Sequence, residues 1–224
     1  MKKTFLFLLL AMASAPAAFA QARPGGSLSS KDYTGGGVTT SRNTGFGVKG
    51  GYNLSNFYGN GKDINPGRDN LNSFHAGFYG QFGLNNFSSV QLELLYSRKG
   101  IRYTDGANKN DLRLDYLSLP VLYVGNVTEN ISFHIGPQVS LLTKVLENGQ
   151  DRDLKVNGYN SFDLGGVAGL EARIGPARVG ARYDLGFARV LKRSAGGKYT
   201  GLSDDQTSIH NQTLQLYVGI GLTQ

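Results

Sequence analysis

Beyond Thr44 the sequence alternates, with apolar and polar residues trading places at a period of two through run after run. Successive side chains point to opposite faces only in an extended strand, so the pattern predicts β-structure and no helix. In residues 45–54, Phe46, Val48, Tyr52 and Leu54 share one face against Gly47, Lys49, Gly51 and Asn53. The same rhythm covers 74–83, 90–99, 116–123, 131–141, 161–173, 179–187 and 213–222. Eight long strands are expected. Pro120 falls inside the fourth run, where a proline predicts a bulge or an edge.

The connections have a rhythm of their own. Residues 84–89, 125–130 and 175–177 are short, while 55–72, 104–111, 145–160 and 191–209 are longer and polar. Short and long alternate strictly. An up-and-down sheet gathers its long loops at one end, and this is the arrangement of an even-stranded outer-membrane barrel.

A soluble ligand-binding barrel is the rival, with apolar residues pointing inward. Two features separate them. Only 17% of residues are charged, against about 25% in ordinary soluble domains, and the polar faces carry Gly, Ser, Gln and Asn rather than many Lys and Glu. Runs of ten residues also suit a tilted bilayer crossing, which takes about 9–11. Phe82, Phe87, Tyr123 and Phe133 fall near the short-turn rim as an interfacial girdle. The fold class expected is all-β, an eight-stranded antiparallel up-and-down transmembrane β-barrel over residues 45–224. Half of each strand facing lipid and half facing a polar lumen accounts for a mean hydropathy that is negative despite the low charge.

Met1-Lys2-Lys3 precedes the apolar run 5–13 and then Ala18-Phe19-Ala20. A charged start, a short apolar core and an A-x-A site predict a secretory signal peptide over 1–20. Residues 21–44, with Gly25-Gly26 and Gly35-Gly36-Gly37, read as a flexible Gly/Ser-rich leader. Loss of Lys2 and Lys3 takes two from 23 basic residues against 16 acids, so the formal charge falls from +7 to +5. The remaining positive charge is scattered rather than striped, and nucleic acid is not expected as a partner. The absence of Cys excludes disulfides, thiolate metal sites and a lipid-anchored cysteine.

Gly45-Phe46-Gly47-Val48-Lys49-Gly50-Gly51-Tyr52-Asn53-Leu54-Ser55 resembles the first strand of the PorT-like outer-membrane β-barrel family. Asp115-Tyr116-Leu117-Ser118-Leu119-Pro120 resembles its fourth strand, and Ile135-Gly136-Pro137 its fifth. The likeness spans the whole barrel region. It implies a small barrel of the kind labelled porin-family in the Gram-negative cell envelope, and a type IX secretion accessory as one role for such a barrel.

Three chemical readings of the residues compete. Gly45-x-Gly47-x-x-Gly50 matches a dinucleotide fingerprint in spacing, but it lies within a strand and no helix follows to receive a phosphate. Lys49, Glu93, Lys99, Glu171, Arg173, Arg182 and Asp184 fall on the lumenal face and are expected to form a paired charge network, Glu171 reaching Arg182 across the turn at Gly175-Pro176. His75 and His134 also face the lumen, each two residues after a serine (Ser73, Ser132), as His210 follows Ser208. A Ser–His pair at i, i+2 admits a lipid-acyl enzyme only with an orienting acid and an oxyanion hole. The spacing of His, Asp and Glu suggests no metal site. The function expected is therefore non-enzymatic: a structural or accessory outer-membrane barrel, secretion-related in one form, with extracellular loops, no catalytic residue, no metal and no cofactor. A narrow porin-like pore is the first alternative and a lipid-acyl-modifying enzyme the second. The expected partners are outer-membrane lipid, lipopolysaccharide and a secretion or envelope protein, with the barrel itself monomeric.

Overall fold

The computed structural model describes residues 44–59, 68–84, 87–105, 108–128, 130–153, 158–191 and 208–222. The signal peptide expected over 1–20, and all but the last residue of the leader expected over 21–44, lie outside the described residues. The strands are β1 (Gly45–Tyr58), β2 (Arg68–Gly83), β3 (Ser88–Asp105), β4 (Asn108–Asn126), β5 (Ile131–Glu147), β6 (Gln150–Asp151), β7 (Phe162–Ile174), β8 (Ala177–Gly186) and β9 (His210–Gly221). β6 is a two-residue piece turned back on the end of β5 through Asn148 and Gly149, both at positive φ. Eight staves make the wall.

Every stave pairs antiparallel with its neighbours in sequence, and β1 pairs with β9 from Gly47↔Gly221 to Tyr58↔His210. That last pairing closes the barrel. Closure satisfies the backbone between strands and leaves no edge, which is the condition for crossing hydrocarbon with strands. The outward face supplies the apolar surface: Phe78, Leu92, Val121, Ile135, Leu170 and Val218 are among its exposed residues. Phe87, Tyr123 and Phe133 are exposed near the short turns, with Tyr123 and Phe133 rings 6.0 Å apart. A second aromatic ring of Tyr52, Phe74, Tyr96 and Phe162 circles the other end, Phe74 and Tyr96 lying 5.8 Å apart.

The staves run further than the alternation predicted, and unevenly. β3 has 18 residues and β4 19, whereas β8 has 10. The loop expected over 104–111 is mostly strand, paired at Thr104↔Lys109 and Asp105↔Asn108. The reason is a reversal of polarity along the tall wall. Above the membrane band Ile101, Leu112, Leu114, Leu142 and Val145 point inward while Arg102, Asp111 and Arg113 point out. These inward residues meet Tyr159, Val190, Leu191 and Ile209 from the connections, with Phe57, in one apolar cluster. A Tyr159↔Leu191 bridge and a Val190 N–H to Ile209 carbonyl bond of 2.8 Å tie the connecting segments together. The barrel mouth carries an apolar cap.

No bulge occurs at Pro120. The β4–β5 register keeps one offset from Ser118↔Ser140 to Tyr123↔Ile135, skipping Val121 and Leu122 without shifting, and the irregularity lies instead at Asp115/Tyr116 opposite Lys144/Leu142. Pro120 still pairs with Gln138 in that register. Proline lacks a donor but keeps its carbonyl, so the sheet forgoes one ladder bond on the β3 side without shifting the side chains of a whole strand.

Candidate functional site: the barrel lumen

Alternation drives every second side chain of eight staves into a space just wide enough to be filled by them. The nine residues singled out from the sequence, Lys49, His75, Glu93, Lys99, His134, Glu171, Arg173, Arg182 and Asp184, are all buried in that space. Small residues make room for large ones. A Cβ on Gly47 would strike the ring of Tyr79, and one on Gly180 the ring of Tyr217. Glycine at these two places lets the rings lie flat against the wall, where they flank Lys49, whose Nζ sits 4.1 Å from the Tyr217 centroid and 5.6 Å from that of Tyr79.

The lower tier, toward the short turns, is built on two carboxylates. Glu93 accepts from Lys49 Nζ at 2.7 Å, Arg182 Nη1 at 2.6 Å and Gln91 Nε2 at 2.6 Å. Glu171 accepts from Arg178 Nη1 at 3.3 Å and from the Tyr217 hydroxyl at 3.1 Å. The expected Glu171–Arg182 pair is therefore wrong in its partners. Arg182 reaches across the lumen to β3, and Arg178, nearer the turn, takes its place. Arg178 lay one residue before the run read from the sequence, so the alternation left it out.

The middle tier is neutral and continuous with the first. Arg182 Nε donates to Gln215 Oε1 at 2.6 Å, Gln215 Nε2 to Asn53 Oδ1 at 2.9 Å, and Asn53 Nδ2 to Ser97 Oγ at 3.1 Å. His75 Nδ1 meets the same Asn53 Oδ1 at 2.6 Å. In the upper tier Asp184 Oδ2 accepts from Lys99 Nζ at 2.7 Å and from Gln138 Nε2 at 2.9 Å. Asn211 Nδ2 donates to Asp163 Oδ2 at 3.1 Å and to the Tyr116 hydroxyl at 3.0 Å, just beneath the apolar cap. Ion pairs this deep need their remaining donors and acceptors met, and the amides of Gln91, Gln138 and Gln215 supply part of that here.

Neither of the two lumenal serine–histidine pairs assembles a relay. Ser73 Oγ donates to the Arg98 carbonyl at 2.7 Å, leaving His75 to Asn53. Ser132 Oγ lies 3.3 Å from His134 Nε2, but the same nitrogen is 3.7 Å from Glu171 Oε1. A nucleophile–base–acid relay needs the serine and the acid on opposite ring nitrogens. Gly45, Gly47 and Gly50 sit within β1, so the dinucleotide spacing has no phosphate-cradling loop.

Among solved structures the chain is similar to the attachment invasion locus protein Ail of Yersinia pestis, at 16% identity over 80% of this chain and 99% of that one, with a TM-score of 0.45. It is similar to Neisserial surface protein A at 15% identity, covering 78% and 96%, with a TM-score of 0.46. It is similar also to OprG from Pseudomonas aeruginosa at 13% identity, covering 81% and 98%, with a TM-score of 0.39. No curated protein sequence matches the chain. Residues 19–192 match the family described as the outer membrane protein beta-barrel domain, and with a closed eight-stave barrel, an apolar exterior and two aromatic rings in place, the chain belongs to that family of the outer membrane.

Proposed function

We propose that this barrel is a non-enzymatic, non-conducting accessory protein of the outer membrane that presents its longer connections to the outside. The observation that carries the reading is the interlocked lumen. Glu93, Lys49 and Arg182 bridge β1, β3 and β8 at the waist with side-chain exposures of 1% or less, and an apolar cap lies above them. A conducting pore needs a hydrated path, and this arrangement supports a filled one. The short turns face the periplasm and the longer connections the exterior, as in barrels of this kind. The reading includes export by a signal peptide over 1–20, a monomeric barrel among outer-membrane lipid and lipopolysaccharide, and a secretion or envelope protein as working partner. The PorT-like likeness of β1, β4 and β5 supports the secretion-related version.

Planar-bilayer recording on the refolded protein tests the closed lumen. The expected result is no steady single-channel conductance, and regular ion-selective steps would replace this reading with the pore. Cross-linking in intact outer membranes followed by pull-down tests the accessory role, with stable recovery of a secretion component as the expected outcome.

A further inference from the structure

In the upper lumen four buried oxygens have no partner among the described residues: Asp163 Oδ1, Asp184 Oδ1, Asn211 Oδ1 and Thr213 Oγ1. All four residues are 5% exposed or less. The register sets their residues on adjoining staves. Asp184 lies directly opposite Thr213 on the neighbouring stave, the ladder ends one pair further up at Leu185↔Gln212, and Asn211 and Gly186 follow just beyond it. Inward cross-strand positions stand about 4.5–5.5 Å apart. The space that a side chain at Gly186 would fill is taken by the carboxylate of Asp163, whose Oδ1 lies 2.9 Å from where that Cβ would be.

Asp163, Asp184 and Asn211 are each held by their other polar atom. Lys99 and Gln138 fix Asp184 Oδ2, and Asn211 Nδ2 fixes Asp163 Oδ2. That donation also fixes the amide of Asn211, because turning it over would set an oxygen against the Asp163 carboxylate. What remains is a set of buried acceptors on three adjoining staves, β7, β8 and β9. Water would satisfy them by donating, and its own lone pairs would then draw on the Thr213 and Tyr116 hydroxyls and Lys99, the donors nearby among the described residues. A cation needs only acceptors. Oxygen-only ligands select a hard ion, four of them fall short of the 6–8 that calcium takes, and two carboxylates against Lys99 leave one negative charge to neutralise.

We propose that Asp163, Asp184, Asn211 and Thr213 bind a monovalent hard cation of sodium's size, enclosed between the lower ion-pair tier and the apolar cap. The site lies apart from the proposed accessory role and stands or falls independently of it.

The full chain, refolded in detergent in sodium chloride or in choline chloride at equal ionic strength, provides the first test. Its unfolding temperature, read from the heat-modifiable gel shift, is expected to climb with sodium and not with choline, as linkage to a bound ion requires. Thr213→Val, which removes one ligand and preserves shape, is expected to abolish the difference between the salts. Thallium(I), soaked into crystals of the unsubstituted protein, is expected to give an anomalous peak among these oxygens, and this measurement decides the matter if the variant does not fold. Equal midpoints in the two salts, or no thallium peak at the site, overturn the proposal.

Discussion

Glu93 receives two cations and an amide at once, from β1, β8 and its own strand. Neutralising it would leave Lys49 and Arg182 as buried charges facing each other near Tyr217. Breaking a buried pair on one side costs about 3–5 kcal/mol, because the abandoned charge has nowhere to be solvated. Glu93→Gln is expected to lower the stability of the refolded barrel by that amount in urea titration. Adding Lys49→Met and Arg182→Met to the same chain is expected to recover much of the loss, since the uncompensated charges go with the side chains. Both outcomes read out stability alone and leave conductance aside.

At the scale of the strand, the β3–β4 hairpin stands beyond the lipid-facing band and is clasped on its outer face. Arg102 Nε donates to Asp111 Oδ1 at 2.8 Å and Arg113 Nη2 to Asp111 Oδ2 at 3.0 Å. The hydrogen bond from Arg102, joined by that from Arg113, holds the Asp111 carboxyl below the usual aspartate range. A carboxyl lowered by folding contributes stability that is present above its unfolded pKa and lost as pH falls through its folded one. The protection of the hairpin amides, corrected for the pH dependence of intrinsic exchange, is therefore expected to be flat from neutrality down to about pH 4, the ordinary aspartate value, and to fall below it. Asp111→Asn is expected to remove that acid-induced change. The effect is small, as exposed pairs are.

This hairpin also shows where the sequence became unreadable. Below it, alternation carried apolar residues outward and polar residues inward, so Lys49, Glu93 and Asp184 could be assigned to the lumen by parity alone. From Ile101 to Leu114 the alternation continues with its sense reversed, and charged residues on both sides of a turn look like a loop. Partners were out of reach for a different reason. Parity tells which face a residue is on but not which diagonal neighbour it meets: Gly180 lies opposite Glu171, Arg178 and Arg182 flank it on the same stave, and Arg178 meets Glu171 while Arg182 crosses to Glu93. The cap needs contacts between 57, 101–145 and 159–209, and no local pattern encodes those.

The whole molecule is set in the membrane by its two aromatic rings and the apolar band between them. Val218 lies on the outward face between Leu222, beside Phe46 at the short-turn end, and Leu216, opposite Tyr52 at the other. An arginine near the middle of such a band costs about 2–4 kcal/mol, and one at the rim about 0–1. Val218→Arg is expected to destabilise the barrel in lipid vesicles within the larger range. Leu84→Arg, at the exposed end of the β2–β3 turn, is expected to fall within the smaller. A similar cost at both positions would place the bilayer elsewhere on the wall.

The reversal of polarity along the tall wall bears on how the barrel finds its pairing at all. A strand that slips by one residue turns every side chain to the other face. Here such a slip is punished twice. In the lower half it would push Lys99 or Glu93 into lipid, and in the upper half it would turn Ile101, Leu112 and Leu114 out to water while drawing Arg102 and Arg113 into the cap. No single slip relieves one error without committing the other, so the long staves act as their own proofreading during assembly, with the mouth checking the pairing that the waist has made.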